Sequence, residues 1–197
     1  MADETIAYIE AHFARSCETL NRAAGDASVR SAIGEISEAI VRCFRAGGKL
    51  LIAGNGGSAA DAQHIAGELM VRLNFDRNPL PAIALSTDTS TLTAIGNDYG
   101  FDSMFERQVR GLGRAGDIFM GLSTSGRSPN VVAALKAARE LKIVTVGLTG
   151  NRDAPMNALC DHRLAAPSDE TQLIQQIHIV AAHAICGLVE QQLFGQR

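Results

Sequence analysis

The chain has no tryptophan, two tyrosines and no cluster of lysine and arginine. Without neighbouring aromatics there is no platform on which nucleic-acid bases could stack. A formal charge of −3 spread over 197 residues leaves no basic stripe for a phosphate backbone or an anionic bilayer. No C-x-x-C pair occurs: Cys17, Cys43, Cys160 and Cys186 are far apart, as expected of reduced, mostly buried thiols in a cytoplasmic protein. The first residues, MADETIAYIEAHF, are acidic where a secretory leader is basic, and no apolar run reaches membrane-spanning length. Repeats, low-complexity segments and linkers are also missing. What these absences leave is a soluble, cytoplasmic protein of one domain, long enough to bury a substantial core, with neither nucleic acid nor membrane as partner.

What is present is organised around Lys49–Arg72, KLLIAGNGGSAADAQHIAGELMVR. Leu50–Ala53 has the length and composition of a strand buried on both faces. It breaks at Gly54-Asn55-Gly56-Gly57, where the backbone is free to turn and to approach a ligand, and Ser58 reads as the cap of a following helix. A glycine-rich turn into a helix N-terminus offers unpaired N–H groups and the positive end of a helix dipole, which suits an anion. The letters also fit a loose dinucleotide-binding pattern, but the acidic residue such a site needs is missing: Asp76 sits in a polar FDRN stretch before the next apolar run begins. His64 and Glu68, at i and i+4, share one helical face and could hold a metal or transfer protons; a solvated pair is the plainer alternative.

Two amphipathic helices precede this stretch, with Ile6, Ile9, Phe13, Cys17 and Leu20 on the first and Val29, Ile33, Ile36, Ile40 and Phe44 on the second. They are expected to cover the sheet or another subunit. Past Pro79 and Pro81, Ala82–Leu85 reads as a second strand, followed by a short helical core and a loop that offers Asn97 and Asp98 for hydroxyl recognition. A helix over Phe101–Leu112 and a third strand over Asp117–Leu122 come next. Ser123-Thr124-Ser125-Gly126-Arg127-Ser128-Pro129 then repeats the opening device, four hydroxyls at a helix start, as a second anion cradle. Ile143–Leu148 and His162–Ala166 supply two more strands, and a last helix runs from an Asp169 cap to Leu193. On that helix Gln175 and His183 lie about 80° apart around the axis, so both can look to one side. The apolar residues around His183 predict partial burial, and a satisfied core histidine is the plainer reading of it. His12, His162 and His178 read as structural or surface residues.

Strands alternating with helices imply an α/β fold, a three-layer α/β/α sandwich with a parallel central sheet, and ligands in such sheets bind beyond the carboxyl ends of the strands. Both cradles and the Asn97-Asp98 loop are expected at that edge.

GNGGSAADAQHIAGEL, TAIGNDYG, STSGRSPN and the IQ…H…H pattern of the last helix resemble the sugar isomerase (SIS) family, and within it the phosphoheptose isomerases, in register from Gly47 to Phe194. The resemblance implies a flavodoxin-like SIS domain over residues 1–197, with helices in 1–47 used in oligomerisation and an α/β core in 48–197. It implies a homotetramer that shares active sites between subunits and turns sedoheptulose 7-phosphate into D-glycero-D-manno-heptose 7-phosphate for surface glycans such as lipopolysaccharide or capsule. By position in the motifs, Glu68 would be the general base and His183 its acid/base partner, while His64, Glu68, Gln175 and His183 would bind one zinc per subunit. Ser123, Thr124, Ser125 and Ser128 would hold the phosphate; Asn55, Gly56, Gly57, Ser58, Asn97 and Asp98, with Glu68 and Gln175, would line the sugar site. Two positions depart from the family pattern, Gln176 for a usual Glu and Leu173 for a common basic residue. Non-catalytic relatives, the DnaA initiator-associating type and sugar-phosphate sensors, are the alternative. In the former the positions matching Glu68 and His183 are not a Glu and a His, whereas here both are present.

Overall fold

Five short apolar runs pair side by side into one parallel sheet: β1 (Leu50–Gly54), β2 (Ala82–Ala84), β3 (Ile118–Ser123), β4 (Val144–Gly150) and β5 (His162–Ala166), in the order β2-β1-β3-β4-β5. The computed structural model describes residues 2–195. Leu50 stands opposite Ala82 on one side and Ile118 on the other, Ile118 opposite Val144, and Val146 opposite His162. Because side chains alternate along a strand, Leu50, Ile52, Met120 and Leu122 point to one face while Leu51, Ala53 and Phe119 point to the other. Helices α2 (Ala27–Arg45), α3 (Gly57–Met70) and α7 (Thr171–Phe194) fill the first face; α5 (Met104–Leu112) and α6 (Pro129–Glu140) fill the second. Helix α1 (Ala2–Gly25) packs on α2 and α7, and α4 (Thr89–Tyr99) packs on α5. The three expected layers are therefore formed.

The strand order reverses direction between β1 and β3, and the crevice at such a switch point is where open α/β sheets bind ligands. The two loops leaving those strands are the two cradles read in the sequence.

Several local expectations are corrected. Ser58 does not cap α3: the cap position is Gly56, whose φ of +55° favours glycine, and Ser58 is buried as the second residue of the helix, its N–H donating to Asn55 O at 3.0 Å. Asp169 does not cap α7, which starts at Thr171 after Glu170; the Asp169 carboxylate instead accepts from Arg152 Nε at 2.9 Å. The Phe101–Leu112 segment opens with a 3-10 turn, Phe101–Ser103, before α5 begins. Asn97 and Asp98 are not in a loop: Asp88 caps α4 by accepting from Thr91 N at 3.0 Å, and the helix runs on through Tyr99 until Gly100 ends it. Cys43 and Cys186 are buried, but Cys160 is half-buried and Cys17 is exposed.

The apolar face of α1 does not cover the sheet, because α2, α3 and α7 already do; Ile6, Ile9 and Phe13 are exposed. Helix α7, contrary to the expectation that no segment qualifies, is long and apolar enough to cross a membrane by length and composition. Half of its apolar window is buried inside the fold, which makes it a core helix here.

Candidate active site

The first loop is held by its neighbour across the switch point. Asn55 Nδ2 donates to Asn130 Oδ1 at 2.9 Å and Asn130 Nδ2 donates back to Asn55 Oδ1 at 2.9 Å, a reciprocal amide pair. Asn130 is buried in the first turn of α6, where its Oδ1 also accepts from Val131 N at 2.9 Å. This pair ties the two cradles together and leaves Asn55 one free N–H and one lone pair for a ligand. The motifs did not single out Asn130, although it sits inside STSGRSPN.

In the second loop the hydroxyls converge. Ser123 Oγ lies 2.9 Å from Ser128 Oγ and 3.4 Å from Ser125 Oγ, and Ser125 Oγ accepts from Arg127 N at 3.2 Å. Thr124 and Ser125 face a small cavity of about 60 Å³ closed by Gly150, Arg152, Ser168 and Asp169 and by Thr171 in the first turn of α7. Hydroxyl donors beside helix N-termini complement an anion.

Helices α3 and α7 run side by side in the same direction and meet at successive rungs. At the first, Gln175 lies over Gly57 so closely that a Cβ there would sit 2.5 Å from its Nε2. Two turns on, His64 Nε2 faces His183 Nε2 at 2.9 Å, and His64 Nε2 lies 3.2 Å from Glu68 Oε1. One ligand atom from each of His64, Glu68 and His183 lies within 4.8 Å of the other two. Facing imidazole lone pairs at that distance repel unless a proton or a cation stands between them. Tetrahedral bonds of about 2.0 Å put neighbouring ligand atoms about 3.3 Å apart, close to what is seen. The group can hold a metal ion. His64 and His183 are exposed and Glu68 is half-buried, which corrects the expected burial of His183: on α7 it shares an open face with Val180 and Ala184.

Asp61, one turn before His64, has a half-buried carboxyl whose pKa is raised by burial, opposed in part by His64. Asn97 and Asp98 are not brought to the cradles. Both are exposed, Asn97 Nδ2 donates to Asp98 Oδ1 at 2.7 Å, and Asp98 lines a separate cavity of about 700 Å³ with Asp88, Tyr99 and Arg107. His178 is structural, as expected: it is fully buried, its Nε2 donates to Thr149 O at 3.1 Å, and burial pulls its pKa down to about 4. His162 faces Glu35 at 3.6 Å, and His12 stays on α1.

The five-stranded parallel sheet flanked by helices carries a SIS domain, whose family model matches residues 12–150. The chain is 53% identical to a phosphoheptose isomerase of Bradyrhizobium sp. (strain ORS 278) over 98% of both chains. Its structure resembles the phosphoheptose isomerase of Francisella tularensis with a TM-score of 0.91 at 35% identity, covering 95% of this chain and 98% of that one. Against the enzyme of Neisseria gonorrhoeae the TM-score is 0.88 at 43% identity, covering 97% and 100%. The chain belongs to the phosphoheptose isomerase family of SIS-domain proteins.

Proposed function

We infer that this protein converts sedoheptulose 7-phosphate into D-glycero-D-manno-heptose 7-phosphate through an enediolate. The observation that carries the reading is the meeting of Glu68 with His64 and His183 at 3.2 and 2.9 Å, beside a hydroxyl-lined anion cradle on the next strand. A ketose becomes an aldose when a proton leaves carbon 1, the electron pair forms the enediolate, and a proton returns to carbon 2 while the hydroxyl protons redistribute. Glu68 is the carboxylate placed for the carbon-bound proton. His183, whose imidazole can both donate and accept a proton, serves ring opening and the oxygen-bound protons. Ser123, Thr124, Ser125 and Ser128 take the phosphate; Asn55, Gly56, Gly57, Ser58 and Gln175 take sugar hydroxyls. Two imidazoles and a carboxylate suit zinc, one per subunit, which would supply Lewis-acid stabilisation of developing negative oxygen; the Gln175 amide, eight residues from His183 along α7 and packed on Gly57, would complete the set from another subunit.

The assembly we favour is a homotetramer in a cytoplasmic enzyme, with residues 1–47 used in oligomerisation and 48–197 as the core. Its support is the exposure of Ile6, Ile9 and Phe13 on α1 and of Val180 beside His183 on α7. Asn97 and Asp98, remote from the cradles in one chain, would line a sugar site completed by another subunit. The product would feed lipopolysaccharide, capsule or a related surface glycan.

NMR of the protein with sedoheptulose 7-phosphate tests the reading. Growth of aldose signals at the expense of the ketose is expected; saturable binding without turnover would move the protein to the sensors and adaptors.

A further inference from the structure

A buried ion pair lies one step beyond the histidines, at the third rung between α3 and α7. Arg77 and Glu190 have side chains 2% and 0% exposed, in contact through Arg77 Nε and Glu190 Oε1 at 3.1 Å. The Glu190 carboxylate also accepts from Leu73 N at 3.1 Å and Asn74 N at 2.8 Å, so it gathers the chain that leaves α3. The guanidinium turns the other way: Nη2 donates to Glu68 O at 2.8 Å, and Nη1 donates to Leu69 O at 2.7 Å and Asn78 O at 3.0 Å. Arg77 thus binds the main chain of the proposed base itself, and through Glu190 it fixes that main chain to the helix that carries Gln175 and His183.

Ile65, Ala66 and Leu69 on α3 and Ala181, Ala182 and Ile185 on α7 are buried in the same core cluster, and the Arg77–Glu190 pair adds a directional polar tie to that non-directional packing, beside side chains of which His64 and His183 are exposed and Glu68 half-buried. Sliding α7 by one residue would turn His183 by about 100° and carry it away from His64. A positive group at the last carbonyls of α3 also complements the negative end of that helix.

We propose that Arg77 and Glu190 form a register lock, a pair of positioning residues that sets His64 and Glu68 on α3 against His183 on α7 and so fixes the geometry of the metal group. The proposal rests on the metal reading above. A guanidinium is required because it meets three carbonyls and a carboxylate at once in a planar fork; a lysine ammonium keeps the charge but cannot span them.

The test measures zinc affinity by competition with a chromophoric chelator, inorganic phosphate affinity by titration, and folding of the metal-free proteins by circular dichroism. Arg77→Lys is the first variant. Glu190→Gln is isosteric, keeps an amide oxygen for one of the Leu73 and Asn74 N–H groups while weakening the tie to Arg77, and covers the case in which the lysine variant does not fold. Zinc affinity is expected to fall about tenfold or more, the usual effect of losing a group that orients a ligand, while phosphate affinity at the second cradle, whose hydroxyls neither Arg77 nor Glu190 touches, stays within about twofold. A folded variant that binds zinc as tightly as the wild type overturns the lock and leaves the pair a purely structural one. Wild-type protein that takes up no zinc overturns the metal reading itself, and the two failures are told apart because the second is read on the unmodified chain.

Discussion

His178 makes the stability of this protein fall in weak acid. The ring is fully buried on α7, its Nε2–H committed to Thr149 O, and its Nδ1 has no hydrogen-bond partner. Protonation would put a charge on that buried, unpartnered nitrogen, and burial lowers the pKa from 6.5 to about 4. Above about pH 6.5 neither the folded nor the unfolded chain carries this proton, and the stability is fully present. Between about 6.5 and 4 the unfolded chain takes the proton and the folded chain does not, so stability declines as pH falls. A gap of about 2.5 pH units at about 1.36 kcal/mol each gives a loss of about 3 kcal/mol by pH 4, of which about 2 kcal/mol is gone by pH 5. Urea unfolding in chelator at fixed protein concentration measures it, for the wild type and for His178→Gln. The glutamine amide can still donate to Thr149 O but does not titrate, so groups common to both proteins cancel in the difference. A difference that stays flat between pH 7 and 4 refutes the burial argument.

Gly57→Ala should leave folding nearly unchanged and damage the site. The new Cβ, 2.5 Å from Gln175 Nε2, meets the movable end of a side chain, so Gln175 swings away at a cost of about 1 kcal/mol or less in stability. The expected result is a KM or zinc dissociation constant raised several-fold at unchanged thermal midpoint; an unchanged site would show that Gln175 has no part in it. Asn130→Ala removes both hydrogen bonds that orient Asn55, and loss of one Asn55–substrate hydrogen bond worth about 1 kcal/mol should raise KM about fivefold, whereas an unchanged KM would show that Asn55 takes no sugar hydroxyl. Thiol labelling at neutral pH should spare Cys43, Cys160 and Cys186, whose pKa values burial pushes up to about 11, about 12 and about 12, until the protein unfolds. Rapid labelling of any of the three in native protein would contradict the packing.

The strands were legible because a parallel sheet covered on both faces needs continuous apolar runs, and LLIA, AIAL and IFMGL have nothing else to be. The cradles were legible because glycine and clustered hydroxyls follow those runs directly. Helix starts were less so: Gly56 takes the cap of α3 through a backbone angle that the Ser58 side chain cannot announce. His183 looked buried because its neighbours in the sequence are apolar, yet Val180 and Ala184 share its open face, and whether an apolar face is covered depends on what packs against it. Arg77 and Glu190 were invisible for a related reason. They are 113 residues apart, and Arg77 lies in FDRN, which reads as a polar connection until the fold closes over it.

The central claim is that Glu68 moves a proton between carbons 1 and 2 of a heptose phosphate. Incubation with sedoheptulose 7-phosphate in deuterated water, followed by NMR, reads that step directly in the wild type and in Glu68→Gln. Deuterium at carbon 2 of the new aldose phosphate, lost with the glutamine, is the predicted result. A Glu68→Gln protein that exchanges at the wild-type rate would contradict the assignment of the base.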